Sequence, residues 1–459
     1  MKLRITGRQH ARLASHLYPG DGREAVAVAL CGRRAGAAPV LCVKSVTLIP
    51  HAACTVREPD RVTWPVGLLR PLLDEAADRA LAVVKFHSHP GGHPAFSAQD
   101  DRADRELFDA VGNWLDGPAP HASVVMLPGG GYFGRSITPA GAFAPLASTA
   151  VVGDDLRYWF PEPASSGPVP EFARRHAQAF GAGTTAVLRR LAVAVVGCSG
   201  TGSPVVEQLA RLGVGRLVLV DPDAVEEKNL NRIIHATMAD AQGGRAKVDV
   251  AAAAVRRMGL GTAVDAVRGH LLAPDVVRRV AECDVVFGCT DSAEARHLAN
   301  RLAVFYAMPY IDVGVRLEAD GAGGISQICG TVHYLQPDGS SLLSRGAITM
   351  DAVRAEGLRR TDPAAYRDQV ASKYITGVRE DRPAVVSVNM HYASLAVLEL
   401  LARLHDYRAD GNAPFARLGS SLTDPRFEPV GPDGDPCPVL AKHVGRGDVS
   451  PLLDNPYLC

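Results

Sequence analysis

The chain has 459 residues, which is enough for two or three domains that each bury a core. Its 49 Lys and Arg residues balance 49 Asp and Glu residues, so no net field attracts it to nucleic acid or to an anionic membrane surface. The 9 scattered cysteines include no C-x-x-C pair, which excludes a disulfide framework and a cysteine zinc cage and fits a reducing compartment.

The first residues, MKLRITGRQHARLASHLYP, are basic but lack an apolar segment of signal-peptide length. No apolar run in the sequence reaches the about 20 residues that a membrane-spanning helix needs. We therefore expect a cytoplasmic protein that binds neither nucleic acid nor a membrane.

Apolar, β-branched runs alternate with helical stretches along most of the chain, which predicts an α/β protein. The runs EAVAVALCG, APVLCVKSVTLIP, ALAVVKFHSHP and ASVVMLPGG predict a first domain over residues 1–150. The Pro-, Ser- and Gly-rich stretch EPASSGPVPEF predicts a linker over residues 151–168. Strands and helices from AVAVVGCSGTGS to the amphipathic helix VVSVNMHYASLAVLELLARL predict a second domain over 169–409, and residues 410–459 predict a tail without an obvious core.

Two histidines one residue apart, His87 and His89, lie in a predicted strand and therefore point to the same face. The helix predicted from SAQDDRADRELF takes Ser97 as its N-cap and places Asp100 in its first turn. Two imidazoles and one carboxylate form the ligand set of a catalytic zinc, which keeps one position open for a water with a pKa near about 7. We expect His93, in GGHPAF, at the rim of this site and not among its ligands.

A zinc site of this kind needs a general base and a donor for the oxyanion. Glu24, at the start of the EAVAVALCG strand, is the favoured base, and Glu58 in the turn-like stretch REPD is the alternative. Ser97 can supply the hydroxyl donor. A pair of surface histidines beside a helix cap is the simpler interpretation, and the full spacing of the pattern disfavours it.

The complete pattern is a Glu on an early strand followed by H-[ST]-H-P-x6-S-x2-D, and Glu24, His87, His89, Ser97 and Asp100 match it. In this pattern the chain resembles the JAMM metalloprotease family over about residues 1–150. The resemblance implies a JAMM/MPN-type α/β fold. It also implies hydrolysis of the amide bond after a ubiquitin-like tail, or trimming of such a tail to a Gly-Gly end.

The segment LAVAVVGCSGTGS predicts a buried strand, a glycine turn and the start of a helix. Gly197, Gly200 and Gly202 let the backbone approach a nucleotide while the helix N-terminus faces its phosphates. The next strand, RLVLVD, ends at Asp221, where a carboxylate can bond a ribose hydroxyl. These features alone would also suit a nicotinamide-dependent dehydrogenase.

The residues after this turn favour another reaction. Asn229 and Arg232 follow in DPDAVEEKNLNR, Lys247 in GGRAKVDVA and Asp291 after the strand DVVFGCT. Cations around a triphosphate and one acid for magnesium suit attack on an α-phosphate, whereas hydride transfer does not need them.

Five motifs follow one another in residues 165–405: the glycine loop, D-x-D-x-V, N-L-x-R, a Lys and T-D-x4-R. In this order of motifs the segment resembles the ubiquitin-activating, ThiF-type adenylyltransferases. Ser199 stands where the family has its second loop glycine. The resemblance implies a Rossmann-like domain that uses ATP and magnesium, with a catalytic pair formed by Arg232 and Asp291. It implies that Asp221, Arg232 and Lys247 hold the ribose and phosphates.

The same resemblance implies further roles. Asn229 would shape the nucleotide pocket, and Asp291 would bind magnesium and orient the tail carboxylate. Arg175, with Arg174 as the alternative, matches the arginine that in this family reaches into the site of the neighbouring subunit. The chain is therefore expected to form a homodimer.

Two departures from the family concern zinc and the nucleophile. Relatives often bind a structural zinc with two C-x-x-C pairs. Here Ser341 and Ser344 stand in place of the first pair, and only Cys437 remains of the second, which predicts no structural zinc. The region 340–385 contains no cysteine. We therefore predict adenylation without a dedicated thioester, leaving Cys329 and Cys459 as the candidates for one and assigning Cys198 and Cys289 to packing.

Both halves point to one substrate class, the flexible C-terminal tail of a ubiquitin-like or sulfur-carrier protein. The zinc half would cleave after a glycine, and the nucleotide half would adenylate the carboxylate, with both sites in one chain to raise the effective concentration of the tail. One alternative is an active protease joined to a nucleotide-binding dimerisation scaffold, and another is adenylation of a peptide or small-molecule carboxylate. The sequence leaves open whether the protease trims precursors or removes conjugates.

Overall fold

The computed structural model describes residues 1–115, 117, 119–161, 169–320, 322–371, 383–424, 426–429 and 431–458. The chain divides into two compact units. The first unit comprises Met1–Ser166, Val304–Ala307 and Lys442–Asp454, and the second comprises Gly167–Ala303, Met308–Ala441 and Asn455–Cys459. Among the helices of the described residues, none has both the length and the apolar character to cross a bilayer.

The first unit contains eleven strands and three helices within its described residues. The strands are β1 (Lys2–Thr6), β2 (Val26–Arg34), β3 (Val40–Leu48), β4 (Val56–Glu58), β5 (Arg61–Thr63), β6 (Ala82–Ser88), β7 (His121–Met126), β8 (Tyr132–Ile137), β9 (Phe143–Pro145), β10 (Ser148–Val152) and β11 (Leu156–Trp159). The helices are α1 (Gly7–Leu17), α2 (Arg70–Asp78) and α3 (Ala98–Trp114).

A mixed sheet in the order β11-β10-β1-β3-β2-β6-β7-β8-β9 forms the centre of the first unit. One face packs Ala27 and Ala29 of β2 into the same cluster as Leu13 of α1. The other face packs Val28 of β2 into a cluster with Phe108 of α3. Because both faces of β2 are covered, its sequence from Val26 to Cys31 is continuously apolar instead of alternating.

The first unit extends beyond the predicted boundary at residue 150. β10 pairs in parallel with β1, and β11 pairs with β10, so the sheet continues to Trp159. The predicted C-terminal tail also contributes, because Gly32 N donates to Gly445 O at 2.9 Å and Asp448 N donates to Arg33 O at 2.7 Å. Residues 442–454 thus bind along β2.

The described residues of the second unit form eight strands and nine helices. The strands are β12 (Ala192–Val196), β13 (Arg216–Val220), β14 (Ala263–Val267), β15 (Val285–Gly288), β16 (Tyr310–Ala319), β17 (Ile325–Leu335), β18 (Arg417–Ser421) and β19 (Arg426–Pro429). The helices are α4 (Arg174–Leu188), α5 (Gly202–Arg211), α6 (Met238–Gln242), α7 (Lys247–Met258), α8 (Pro274–Val280), α9 (Ala293–Phe305), α10 (Met350–Thr361), α11 (Pro363–Ala371) and α12 (Val386–Leu404).

The sheet of the second unit has the order β14-β13-β12-β15-β16-β17-β18-β19. β14, β13, β12, β15 and β16 run parallel, and the strands from β16 to β19 pair antiparallel. The strand order reverses its direction at β12, between β13 and β15. Ligands of such sheets bind at the carboxyl ends of the strands beside this point. The predicted Rossmann-like architecture is confirmed, and β18 and β19 show that residues after 410 belong partly to this sheet.

Candidate active sites

His87, His89 and Asp100 come together at one end of β6. Their ligand atoms all lie within 4.8 Å of one another, which no other group of three His, Cys, Asp or Glu side chains does among the described residues. The two Nε2 atoms are 3.2 Å apart. Asp100 Oδ1 is 3.0 Å from His87 Nε2, and Asp100 Oδ2 is 3.5 Å from His89 Nε2. β6 ends at Ser88, one residue before His89, but the two rings still converge.

The donor set fits a divalent cation such as zinc. His89 Nδ1 donates to the carbonyl of His93 at 2.8 Å, so Nε2 is the ring nitrogen that faces the cluster, where a cation would replace its proton. Burial lowers the pKa of His87 to about 4, so this ring is neutral and able to ligate. Burial opposes the charge of Asp100, but hydrogen bonds from both rings hold the pKa of this carboxyl well below its usual range.

A buried ionic clamp, formed by Lys85, Asp104 and Arg135, holds α3 against the sheet. Lys85 Nζ forms a salt bridge with Asp104 Oδ1, and Arg135 Nη2 lies 2.7 Å from Asp104 Oδ2. Lys85 and His87 are two residues apart on β6, while Asp104 and Asp100 are four apart on α3, and both spacings are about 6 to 7 Å. The clamp therefore sets the distance between Asp100 on the helix and His87 on the strand.

This clamp was not predicted from the sequence. Its only signal is a second acid on α3, four residues after the ligand Asp100 and hence on the same face. This second acid predicts an ion pair only once Lys85 is known to face α3.

Two phenylalanines border the metal cluster. The ring centroids of Phe96 and His87 are 6.3 Å apart, and those of Phe133 and His89 are 6.0 Å apart. The two phenylalanine rings pack edge to face at 5.1 Å. They form an apolar wall that restricts water around the histidines and strengthens electrostatic interactions there.

Glu24 lies two residues before β2 and is 5% exposed. Burial raises its pKa to about 7; the charge of Asp100 adds to this effect, and His89 opposes it. A carboxyl with this pKa can accept and release a proton near neutrality. The alternative base, Glu58, ends β4 and so lies in a strand and not in the predicted turn, where it pairs with Arg61 at 3.1 Å on the surface.

Ser97 is the N-cap of α3, as predicted. Its Oγ accepts from Asp100 N at 3.1 Å and donates to Asp100 Oδ2 at 2.8 Å. The hydroxyl therefore orients the ligand Asp100, and its role as an oxyanion donor stays a prediction.

In the second unit, Gly197, Gly200 and Gly202 form the turn between β12 and α5. Gly197 has a φ of 92°, which favours glycine. A Cβ on Gly202 would lie 1.8 Å from Gly197 O, and one on Gly200 would lie 2.4 Å from Asn389 Nδ2 and 3.0 Å from Arg232 Cδ. The loop is therefore closely packed, and the side chain of Arg232 lies against it.

Asp221 follows β13 and bonds back to the glycine loop. Its Oδ2 accepts from Cys198 N at 2.7 Å, and its Oδ1 accepts from Asp223 N at 3.0 Å. Lys247 Nζ lies 2.7 Å from Asp223 Oδ2 and 3.9 Å from Asp221 Oδ1. The Asp221 side chain is 5% exposed and that of Asp223 is 62% exposed, so Asp223, which the sequence analysis did not single out, is the more accessible carboxylate.

Asn229 is buried and stabilises the turn that carries Arg232. Its Oδ1 accepts from Glu226 N at 3.1 Å. Arg232 Nη1 donates to Lys228 O at 2.8 Å and to Asn231 Oδ1 at 3.1 Å. Asn229 therefore stabilises the backbone of this turn, and its role in shaping a nucleotide pocket stays a prediction.

Asp291 and Arg175 form no hydrogen bond or ion pair with the glycine loop, Asp221 or Lys247 in the described part of the chain. Asp291 is exposed between β15 and α9, and within the described part of the chain its carboxylate has no hydrogen bond or ion pair. Arg175 is exposed on α4, again with no partner among the described residues. Its alternative, Arg174, pairs with Glu171 at 2.6 Å on the surface.

The cysteines of the second unit differ in burial. Cys198 and Cys289 are buried, and burial raises the pKa of both thiols, which agrees with packing roles. Cys329 is half-buried on β17. Cys459 lies outside the described residues.

Hydrogen bonds connect Ser341, Ser344 and Cys437, which stand where relatives were expected to carry zinc-binding cysteines. Ser341 Oγ donates to Cys437 Sγ at 3.0 Å, and Ser341 N donates to Ser344 Oγ at 2.8 Å. Ser344 N in turn donates to Ser341 Oγ at 3.1 Å. These contacts join the segments that a metal would otherwise hold, and the absence of a structural zinc stays a prediction.

Two family models match the chain. The model of the ThiF family matches residues 173–426, and the model of prokaryotic homologs of the JAB domain matches residues 7–135. Among solved structures, Escherichia coli MccB with ATP is similar at 17% identity, covering 60% of this chain and 74% of that chain with a TM-score of 0.45.

Curated relatives match parts of the chain. The adenylyltransferase and sulfurtransferase MOCS3 of Bos taurus is 45% identical over 130 residues, which is 27% of this chain and 27% of that protein. The SAMP-activating enzyme E1 of Haloferax volcanii is 35% identical over 148 residues, 32% of this chain and 50% of that protein. The chain thus spans about a quarter to a half of the length of these relatives. Because the ThiF model covers more than half of its residues, the chain belongs to the ThiF family, and a JAB-type domain precedes its ThiF domain.

Proposed function

We propose that the chain is a bifunctional enzyme that acts on the C-terminal tail of a ubiquitin-like or sulfur-carrier protein. The first unit would be a zinc-dependent peptidase that cleaves after glycine, and the second would adenylate the glycine carboxylate with ATP. The observation that carries this proposal is the convergence of His87, His89 and Asp100 near a buried Glu24, in a chain whose other domain is of ThiF type.

In the first unit, His87, His89 and Asp100 would hold zinc, which supplies a Lewis acid that polarises the scissile carbonyl and the attacking water. Glu24, with its pKa of about 7, would accept the proton of the water and pass it to the leaving amine. Ser97, fixed at the start of α3, would donate its hydroxyl to the developing oxyanion.

In the second unit, the amides of the glycine loop and the N-terminus of α5 would bind the phosphates of ATP. Arg232 and Lys247 would neutralise phosphate charge, Asp221 or Asp223 would bond the ribose, and Asp291 would hold magnesium. The tail carboxylate would attack the α-phosphorus, forming an acyl-adenylate and releasing pyrophosphate. The similarity to MOCS3, an adenylyltransferase, and to the SAMP-activating enzyme supports this reaction and this substrate class.

The second unit would work as a homodimer in which Arg175 completes the site of the partner. The exposure of Arg175 and its lack of a partner in the described chain support this role. Complementation tests it: Arg175→Ala and Asp291→Ala homodimers would both be inactive in pyrophosphate exchange, and mixing them would restore activity through heterodimers with one intact site. A mixture as inactive as its parents would exclude the exchange of Arg175 between subunits.

The proposed function is tested with the full-length protein, zinc, ATP and magnesium, and a small carrier protein that ends in Gly-Gly and a short extension. Mass spectrometry should show loss of the extension. Isotope exchange between pyrophosphate and ATP should depend on the trimmed carrier. An intact extension, together with no exchange on any Gly-Gly tail, would exclude both activities.

The strongest alternative keeps the peptidase and makes the second unit a nucleotide-binding scaffold. It is favoured by the bonds of Asp221 to the loop and by the burial of Cys198 and Cys289. In that case ATP would bind but pyrophosphate exchange would be absent with every carrier or small carboxylate tested.

A further inference from the structure

A cavity of about 280 Å³ opens in the first unit. Leu17 at the end of α1 and Tyr18 and Pro19 directly after it line one part of the cavity, and Pro90 and Pro128 line another. This lining is largely apolar. The volume lies below the range of about 300 to 1,000 Å³ typical of sites for drug-sized ligands, so it suits one or two amino-acid side chains.

The cavity adjoins the chain segments that carry the peptidase residues. Pro90 directly follows the ligand His89, and another lining residue, Arg23, directly precedes the base Glu24. The hydroxyl of Tyr18 lies 3.4 Å from the carbonyl oxygen of His89. A peptide with its scissile bond between Glu24 and the metal cluster therefore reaches this cavity with a residue close to that bond.

The one charged residue that lines the cavity is Arg23. Its neighbour Asp21 does not neutralise it, because the Asp21 carboxylate pairs with Arg57, with Oδ1 at 3.1 Å from Arg57 Nη2. From Arg23 itself, Asp21 accepts a hydrogen bond only from the backbone N–H, at 3.1 Å. The guanidinium of Arg23 is exposed and has no carboxylate partner among the described residues.

We propose that this cavity binds the residue that follows the scissile glycine, with an apolar side chain in the cavity and the free C-terminal carboxylate of a short extension on Arg23. This inference rests on the proposed peptidase function and specifies its substrate. A linear extension of one or two residues brings a terminal carboxylate close to the scissile bond. A tail conjugated to the side chain of a lysine brings none, so the cavity favours the trimming of precursors over the removal of conjugates.

The test uses the zinc-loaded, full-length protein without ATP and four peptides that share one ubiquitin-like tail. They end in Gly-Gly-Leu with a free carboxylate, in Gly-Gly-Leu amide, in Gly-Gly-Lys with a free carboxylate, and in Gly-Gly linked to a lysine side chain. We expect kcat/KM to be highest for the Gly-Gly-Leu carboxylate and about fivefold lower for its amide, the effect of one exposed ion pair. Arg23→Gln should abolish this fivefold difference, and Arg12→Gln, which changes an exposed arginine of α1 away from the cavity lining, should retain it.

The other outcomes would overturn either the cavity proposal alone or the peptidase function together with it. Cleavage of all peptides with equal kcat/KM for the carboxylate and the amide would overturn the cavity proposal and leave the peptidase function standing. Preference for the lysine-linked peptide, or a carboxylate preference that persists in Arg23→Gln, would do the same. Cleavage of none of the peptides would overturn the peptidase function and the cavity proposal with it.

Discussion

The candidate sites of the two units differ in how much of their geometry exists before a ligand binds. In the first unit, three ligand atoms lie within 4.8 Å of one another on buried or half-buried side chains. In the second unit, Asp221 and Lys247 bond within the protein, while Asp291 and Arg175 are exposed and form no hydrogen bond or ion pair with them in the described part of the chain.

This difference follows from the ligands proposed for the two sites. A cation contacts every ligand atom at once, so an error in any one position weakens the whole site, and the protein must fix all three in advance. A nucleotide and a peptide tail contact many groups and can order exposed side chains as they bind. The first site is thus assembled by the fold, and the second would be completed by its substrates.

The largest expected effect is the separate loss of each activity in a variant of its own unit. His89→Ala should lower tail cleavage by at least about 10³-fold and abolish stoichiometric zinc, and it should leave pyrophosphate exchange unchanged. Asp291→Ala should lower exchange by at least about 10²-fold and leave cleavage and zinc content unchanged. Mass spectrometry of the tail, exchange assays and elemental analysis measure the three quantities. A loss of cleavage in Asp291→Ala would contradict the independence of the two sites.

The next effect concerns the ionic clamp. Asp104→Asn would leave the charges of Lys85 and Arg135 buried without their shared partner, so the unfolding free energy of the first unit should fall by about 3 to 5 kcal/mol. Zinc should also bind about tenfold more weakly, because α3 carries Asp100. Urea denaturation of the zinc-free protein and competition with a chelator measure these changes.

A matched pair in the second unit provides the control for the clamp. Arg216 and Asp265 form a salt bridge with side chains 30% and 38% exposed. Asp265→Asn should therefore lower the free energy of unfolding by no more than about 1 kcal/mol. Equal losses in Asp104→Asn and Asp265→Asn would show that burial does not distinguish the two ion pairs.

A smaller effect is expected in the glycine loop. Gly202→Ala places a methyl group 1.8 Å from Gly197 O, so the loop must shift, at about 2 to 3 kcal/mol of stability, with a loss of ATP binding. Gly183→Ala, in helix α4 with no atom within 4 Å of the new Cβ, should instead stabilise the helix by up to about 1 kcal/mol. Thermal unfolding and titration with ATP compare the two variants. Undiminished ATP binding in Gly202→Ala would argue against phosphate binding by this loop.

The smallest effect is a pH dependence of the first unit that does not involve the metal cluster. Burial lowers the pKa of His121 to about 3, whereas the unfolded chain has the ordinary value of 6.5. Between these values only the unfolded state binds the proton, so the stability is complete above pH 6.5 and falls by up to about 1.4 kcal/mol per pH unit on acidification. Urea denaturation of the zinc-free protein at pH 6.5 and 5.5 measures the total slope of the first unit, to which the buried His87 also contributes, so the share of His121 is obtained from a variant.

His121→Gln should reduce that slope for the first unit and leave the unfolding of the second unit unchanged. An unaltered slope in the first unit would mean that His121 is already protonated in the folded state.

The convergence of His87, His89 and Asp100 could be predicted from sequence because their spacing is local. His87, His89, Ser97 and Asp100 lie within fourteen positions, and a strand followed by a capped helix brings them together. The glycine loop could be predicted for the same reason. In contrast, the partner of Asp104 depends on the register of α3 against β6, which no local pattern specifies.

The boundaries were less predictable than the motifs. β10 pairs with β1, so its place in the first sheet depends on residues about 145 positions away, and the sequence pattern around residue 150 contains no signal of this pairing. Residues 442–454 lack regular periodicity because they bind β2 without forming a long strand. Asp223 was missed because the motif has two acids, and only their exposures distinguish them.

The pairing of residues 442–454 with β2 has a consequence for synthesis. The ribosome releases this segment some 280 residues after Ser166, which at about 5 to 20 residues per second is a delay of roughly 15 to 55 seconds. During that interval Gly32 N and Arg33 O have no partner from this segment. The first unit is therefore finished only after most of the second unit has been translated, and a truncated messenger would leave both units incomplete.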